Sequence, residues 1–349
     1  MFSVLDMFTI GVGPSSSHTV GPMCAAQAFA SSLEESGAVS RVGRIRVVLY
    51  GSLSLTGLGH GTDRAILAGL EGNVPATVDT DYLLSVRERC AHDGTIHVNG
   101  TNAIAYDDDG DMVFDRWKRL APHPNGMRFQ AFDAQGNIID EQVWYSIGGG
   151  FIRRGRIDDA LISNHEQTPA SSQPPKDSGN DETAEYGDGV PYPFVSCDGL
   201  IDLCRKHHLS IADVVWANET ARRSPQEVRD RLTRIWNVMS HCIDAGCASA
   251  TPTLPGGLDV PRRAPMMYRR LAANSDVLRR DRRISSALES SDSAWVALFA
   301  MSVSEENAGG GRVVTAPTNG SAGIIPAVLE YYWHFVESAD DEGVRTFLL

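Results

Sequence analysis

The stretch from residue 161 to 192 limits every fold this chain can adopt. From Ser163-Asn164-His165-Glu166-Gln167-Thr168-Pro169 onward it is rich in serine, proline, aspartate and glycine and has almost no aliphatic side chains. Such a composition cannot bury enough apolar surface to offset the entropy of ordering it, so it reads as a flexible linker or disordered insertion. The chain has 349 residues, enough for two domains, and the linker sets them at 1–160 and 193–349.

The two halves differ in periodicity. Before the linker, strand and helix signals mix. Arg44 to Tyr50 is β-branched and ends at Gly51, which predicts a strand. Met127 to Ala131 and Ile138 to Ile147, joined by the turn-like Asp133-Ala134-Gln135-Gly136-Asn137, predict a hairpin. Helical spacing follows Ser17 (Val20, Met23, Ala26, Phe29, Leu33), and a shorter helix over Ala65 to Leu70 can be capped by Thr62 or Asp63. After the linker the pattern is helical. Ser224-Pro225-Gln226-Glu227 reads as a capping box with proline at the first helical position. Val228, Leu232, Ile235, Met239 and Cys242 then share one face, and Gly246 is expected to stop that helix. Further helices are expected at 293–303, 324–336 and from 341 onward; the last stops inside its apolar pattern, which suggests truncation.

Composition excludes several functions. The net charge of −13 repels nucleic acid and anionic membrane. No apolar run approaches the roughly 18 residues of a membrane span, and no basic-then-apolar start marks a signal peptide, so a cytoplasmic location is expected. Cysteines 24, 90, 197, 204, 242 and 247 form no C-x-x-C pair and read as reduced thiols. Lys118, Lys176 and Lys206 are the three lysines, and all lie in charged surroundings. None suits the pocketed Schiff base that pyridoxal phosphate requires.

Three motifs can carry chemistry. Gly11-Val12-Gly13-Pro14-Ser15-Ser16-Ser17-His18-Thr19 sets hydroxyls and an imidazole at a helix start, which suits a carboxylate or phosphate; the alternative is a serine-rich N-cap without ligand. Gly51 to Asp63 holds His60 between two glycines, where it can act as base, acid or donor, or be a solvated loop histidine. Its glycines lack dinucleotide-binding spacing. Glu305 to Gly323 carries a glycine run and a Thr318-Asn319-Gly320 turn able to hold an amino acid's carboxylate or ammonium, or simply to connect two helices. His123-Pro124-Asn125-Gly126, Asn218-Glu219 and Arg262-Arg263 read as turns or surface pairs.

Taken in order, Ser15 to Met23, Gly59 to Asp63, Ser146 to Phe151, Leu254 to Leu258 and Thr315 to Gly320 resemble the bacterial iron–sulfur L-serine dehydratases. The resemblance implies an α+β chain: an amino-terminal α/β domain of the serine dehydratase β-type, then an all-α catalytic domain, incomplete here. It implies a homodimer acting on L-serine in amino-acid degradation and gluconeogenesis. A [4Fe–4S] cluster, not pyridoxal phosphate, would act as Lewis acid on the substrate hydroxyl while a base removes the α-proton. His60, His18 and Ser17 are then the candidate catalytic groups, with the identity of the base open. Ser15, Ser16, Thr19, Asp63, Thr318, Asn319 and Gly320 are the candidate substrate contacts. The family's cluster cysteines lie beyond the Thr315–Gly320 motif. The resemblance therefore implies no metal ligand in these residues and no activity of the chain alone. The competing readings are a serine-binding regulatory module and, more remotely, a pyridoxal-phosphate dehydratase.

Overall fold

The computed structural model describes residues 3–164, 189–255, 258–273 and 292–349. The body of the expected linker, Lys176 and the Gly256-Gly257 pair lie outside them.

The chain starts with α1 (Val4–Met7) and β1 (Thr9–Val12), makes a wide helical turn at Ser16–Val20, and continues as α2 (Gly21–Glu35). There follow β2 (Arg44–Tyr50), α3 (Ser52–Thr56), α4 (Thr62–Leu70), α5 (Thr80–Asp93), β3 (Thr95–Val98), β4 (Asn102–Ala105), α6 (Asp108–Asp111) and β5 (Met112–Asp115). The first half ends with β6 (Lys118–Leu120), β7 (Gly126–Phe132), β8 (Ile138–Gly148), β9 (Phe151–Arg154) and β10 (Leu161–Ser163).

Strand β2 is the spine of a seven-stranded sheet ordered β3-β4-β2-β7-β8-β9, with β5 pairing β2 beyond the end of β4. Its β-branched run suits a strand buried on both sides. Ile45, Val47 and Leu49 face α2 and α4, while Val48 and Tyr50 pack on Leu120, Val143 and Tyr145. All five residues that set the spacing of α2 are buried, and Phe29 stacks on Phe129 with ring centroids 5.2 Å apart. The β7–β8 hairpin forms as expected because Asp133 accepts the N–H groups of Gln135 and Asn137, closing the turn.

The second half consists of α7 (Cys197–His207), α8 (Ile211–Thr220), α9 (Pro225–Ala248), α10 (Ala264–Ala273), α11 (Asp292–Ala308), β11 (Arg312–Thr315), α12 (Ile324–Phe335) and α13 (Asp341–Leu348). The fold is the expected α+β arrangement, a sheet-bearing half followed by a helical one. Ser224 caps α9 by accepting the N–H of Glu227, and all five residues expected on its apolar face are buried. One strand enters this half: β11 pairs antiparallel with β1, from Thr9 opposite Thr315 to Val12 opposite Arg312. The chain's start thus packs with its second half. Leu5 joins Val228, Leu232 and Leu348 in one core, and Glu219 accepts from the Ser3 hydroxyl and the Val4 N–H.

Two local expectations are corrected. Neither Thr62 nor Asp63 caps α4; the cap is Gly61 in the left-handed region, φ 63°. The Thr62 hydroxyl is taken by the His18 carbonyl and the Asp63 carboxylate by Arg87. Gly246 does not stop α9, which runs on to Ala248. Its lack of a side chain serves the crossing with α11: a Cβ there would stand 2.5 Å from the Ser302 carbonyl oxygen. Gly246→Ala is therefore expected to lower stability in urea denaturation by about 1–2 kcal/mol, because overpacking outweighs the roughly 1 kcal/mol that alanine gains in helix propensity. A stabilised variant would show that the crossing is loose.

Candidate active site

Four of the loops singled out by sequence meet where the two halves join. Gly13 donates its N–H to the Gly311 carbonyl at 2.9 Å, and the Asn307 side-chain amide donates to the Pro14 carbonyl at 3.0 Å. Gly13 has no room for a side chain, since a Cβ would fall 1.8 Å from the Asn307 carbonyl oxygen. Asn319, buried at 3% exposure, accepts from the Thr315 hydroxyl and donates to Asn307 at 2.8 Å. The Thr9 hydroxyl donates to the Gly149 carbonyl at 3.1 Å, which brings in the Ser146–Phe151 loop. The Thr19 hydroxyl donates to the His60 carbonyl at 2.8 Å, which brings in the Gly57–Gly61 loop.

At this junction the imidazoles of His18 and His60 lie 4.9 Å apart, tilted by 42°. His18 is half-buried and held at both nitrogens: Nδ1 is 2.9 Å from the Ser17 hydroxyl and Nε2 is 3.0 Å from the Ser52 hydroxyl. Burial lowers its pKa, and the charge of His60 lowers it further. The neutral ring is therefore favoured at neutral pH. His60 is fixed differently. Its Nδ1 is 2.9 Å from the Thr56 carbonyl oxygen, which can only accept. Nδ1 therefore carries the proton, and the neutral ring is left with its lone pair on Nε2.

Of the other expected groups, Ser15 caps the wide turn by accepting the His18 N–H at 3.1 Å, and Ser16 is buried behind it. Asp63 does not face this junction's histidines as an open carboxylate; it is 5% exposed and paired with Arg87, which also holds Asp108. Asn319 spends its amide on the loop network described above. Thr318 and Gly320 are exposed on the adjoining loop, where the Thr318 hydroxyl accepts the Gly320 N–H.

The residues described do not suit a [4Fe–4S] cluster. The cysteines are spread over α2, α5, α7 and α9, and no three His, Cys, Asp or Glu among the described residues gather as a metal site. Burial also pushes the thiols of Cys24 and Cys90 up to about 11 and that of Cys247 up to about 12, away from the thiolate that binds iron.

Sequence spacing missed two groups. Ser52 binds His18 Nε2 from the first turn after β2, and its signal was the strand–Gly51–Ser52 order. Asn125 belongs to a loop read as a plain turn, yet its carbonyl accepts the Ser146 N–H at 3.1 Å and its amide donates to the Ser146 carbonyl at 3.1 Å. That clamp sets the His123 loop beside the Ser146–Phe151 loop. Burial, reinforced by Arg153, lowers the pKa of His123.

The chain as a whole is similar to known proteins. Residues 3–156 match the family described as the serine dehydratase beta chain, and residues 206–349 match the serine dehydratase alpha chain. The chain is 44% identical over 347 residues to an L-serine dehydratase of Streptomyces coelicolor, covering 99% of this chain and 69% of that protein. It is 41% identical over 346 residues to L-serine dehydratase 1 of Escherichia coli, covering 98% and 68%. It is 35% identical over 353 residues to an L-serine dehydratase of Helicobacter pylori, covering 100% and 70%. The chain therefore belongs to the bacterial L-serine dehydratase family, with the beta-type and alpha-type parts joined in one polypeptide.

Proposed function

We propose that this chain binds L-serine at the junction of the two halves and supplies the proton-handling groups for its conversion to pyruvate and ammonia. The relatives' names support the substrate. The observation that carries the chemistry is the His60 Nδ1 contact with the Thr56 carbonyl, which leaves Nε2 as a base beside His18. His60 Nε2 removes the α-proton and returns it to the β-hydroxyl as the C–O bond breaks, so that water leaves and aminoacrylate remains. This tautomerises to the imine, and a second water releases pyruvate and ammonia. His18, with Ser17 and Ser52 on either side, is the neutral neighbour that orients the pair and passes protons along hydroxyls. Ser15, Ser16, Thr19, Asp63, Thr318, Asn319 and Gly320 shape and support this site. On the resemblance alone we place the work in the cytoplasm and in a homodimer.

The described cysteines do not suit the cluster, so we infer that these residues alone bind L-serine without turnover. Calorimetric titration is expected to show L-serine binding, and a pyruvate assay of the same sample no product. Joining the residues of the Streptomyces coelicolor relative that this chain does not cover, and reconstituting with iron and sulfide without oxygen, is expected to restore pyruvate formation. Binding with no pyruvate from that chimera favours the regulatory-module reading instead.

Within the chimera, His60→Gln is expected to slow pyruvate formation by about 100-fold or more, as loss of a positioned base does. Its calorimetric affinity for L-serine is expected to stay close to that of the parent. Retained turnover in that variant removes His60 as the base.

The lowered pKa of His18 also sets a pH dependence of stability. The unfolded chain takes up the proton near pH 6.5, the folded chain only below that. The contribution is thus fully present above pH 6.5 and lost as pH falls through the folded value. Urea denaturation of His18→Asn is expected to show a shallower loss of stability between pH 7 and pH 5 than the parent. Parallel pH profiles would mean that His18 takes up its proton equally readily in both states.

A further inference from the structure

Several arginines of the first half are matched to carboxylates: Arg44 to Asp111, Arg87 to Asp63 and Asp108, Arg89 to Glu71, Arg128 to Glu141 and Arg156 to Asp158. Arg64 departs from this pattern. It leaves the first turn of α4 and lays its guanidinium back over the Gly57–Gly61 loop. A Cβ on Gly61 would stand 2.2 Å from its Nε and 2.8 Å from its Nη2, and one on Gly310 would stand 3.9 Å from Nη2. The cation therefore lies between the loop that carries His60 and the glycine run that leads into β11. Its Nε is buried with no hydrogen-bond partner. Among the described residues no carboxylate pairs with it, and Asp63, whose charge acts on it, is already bonded to Arg87. Burial correspondingly lowers its pKa.

A cation whose Nε–H is buried without an acceptor is costly unless something else pairs it. A guanidinium offers two parallel N–H groups to a carboxylate, a match that a lone ammonium lacks. We propose that Arg64 binds the α-carboxylate of the amino-acid substrate and so sets its α-carbon toward His60. This rests on the serine reading above. As the α-proton leaves, negative charge spreads onto the carboxylate oxygens, and a fixed cation there stabilises that charge as it forms.

Calorimetry on the full chain tests it with three probes: L-serine, pyruvate and L-serinamide, which lacks the carboxylate. The parent is expected to bind L-serine and pyruvate well and L-serinamide poorly. Arg64→Gln is expected to weaken both carboxylates by about 10- to 100-fold while leaving L-serinamide little changed. Arg64→Lys, which keeps the charge but loses the fork, is expected to fall between. Without ligand, Arg64→Gln is expected to melt at or above the parent's temperature, because a buried N–H without an acceptor has been removed. Binding of L-serine and pyruvate by Arg64→Gln within about twofold of the parent overturns the assignment. A parent that binds pyruvate but not L-serine removes the serine reading, yet upholds the carboxylate site if Arg64→Gln then loses pyruvate. A parent that binds none of the three overturns both.

Discussion

The structure depends on one close approach, the backbone of Gly13 against the carbonyl of Asn307. Strand β1 can lie beside β11 only where the loop after it sinks onto the loop before β11, and any side chain at residue 13 would collide with that carbonyl. The contact is then secured by hydrogen bonds in both directions: Gly13 to Gly311, Asn307 to Pro14, and Asn319 to Asn307. Each is a modest net contribution of about 1 kcal/mol, but each also satisfies a polar group that would otherwise be buried unpaired, which costs more. This is why the serine-rich loop of the first half faces the Thr-Asn-Gly loop of the second, although some 300 residues separate them. His18 sits on the strand–loop–helix that this contact fixes, and the Thr19 hydroxyl ties the His60 loop to it.

Charge is used to hold the elements around the site as much as to act within it. Arg87 on α5 binds both Asp63 at the start of α4 and Asp108 on α6, and Tyr106 donates to the same Asp108. Removing Asp63 would leave a half-buried guanidinium with a single partner, so the pair is costly to break even where its net stabilisation is small. The helix that follows His60 is thereby pinned against α5, and Asp63 is committed to that task. Glu219 does the same in the second half, binding Arg223 together with Ser3 and Val4 and so fastening the chain's start to α8.

Much of the fold was legible from local pattern, and little of the assembly was. Residues 20–33 and 228–242 show their buried faces through spacing alone, because a helix that packs on one side must repeat its apolar residues every three or four positions. The β7–β8 hairpin was legible because Asp133 and a glycine at residue 136 with φ 85° are what the turn needs. The β1–β11 pairing left no such trace. Strands of four residues carry almost no periodicity, and register across 300 residues is set by packing. Gly246 shows the same ambiguity: a glycine near a helix end can mark a stop or a crossing, and only the neighbour, Ser302, decides. For the site, sequence put the serines and both histidines together but could not assign the base. Nothing local says that His60 is pinned by its Nδ1 while both nitrogens of His18 are engaged by hydroxyls.

That asymmetry is what makes the pair chemically useful. Two imidazoles 4.9 Å apart repel each other when both are charged, and the charge of His60 disfavours a proton on His18. Desolvation of the half-buried His18 ring disfavours its cation as well. The elimination proposed above needs a ring nitrogen free to take the proton and hydroxyls nearby able to carry it away. Ser17 and Ser52 place hydroxyls on both sides of His18, which is the arrangement that the proposed proton path would use.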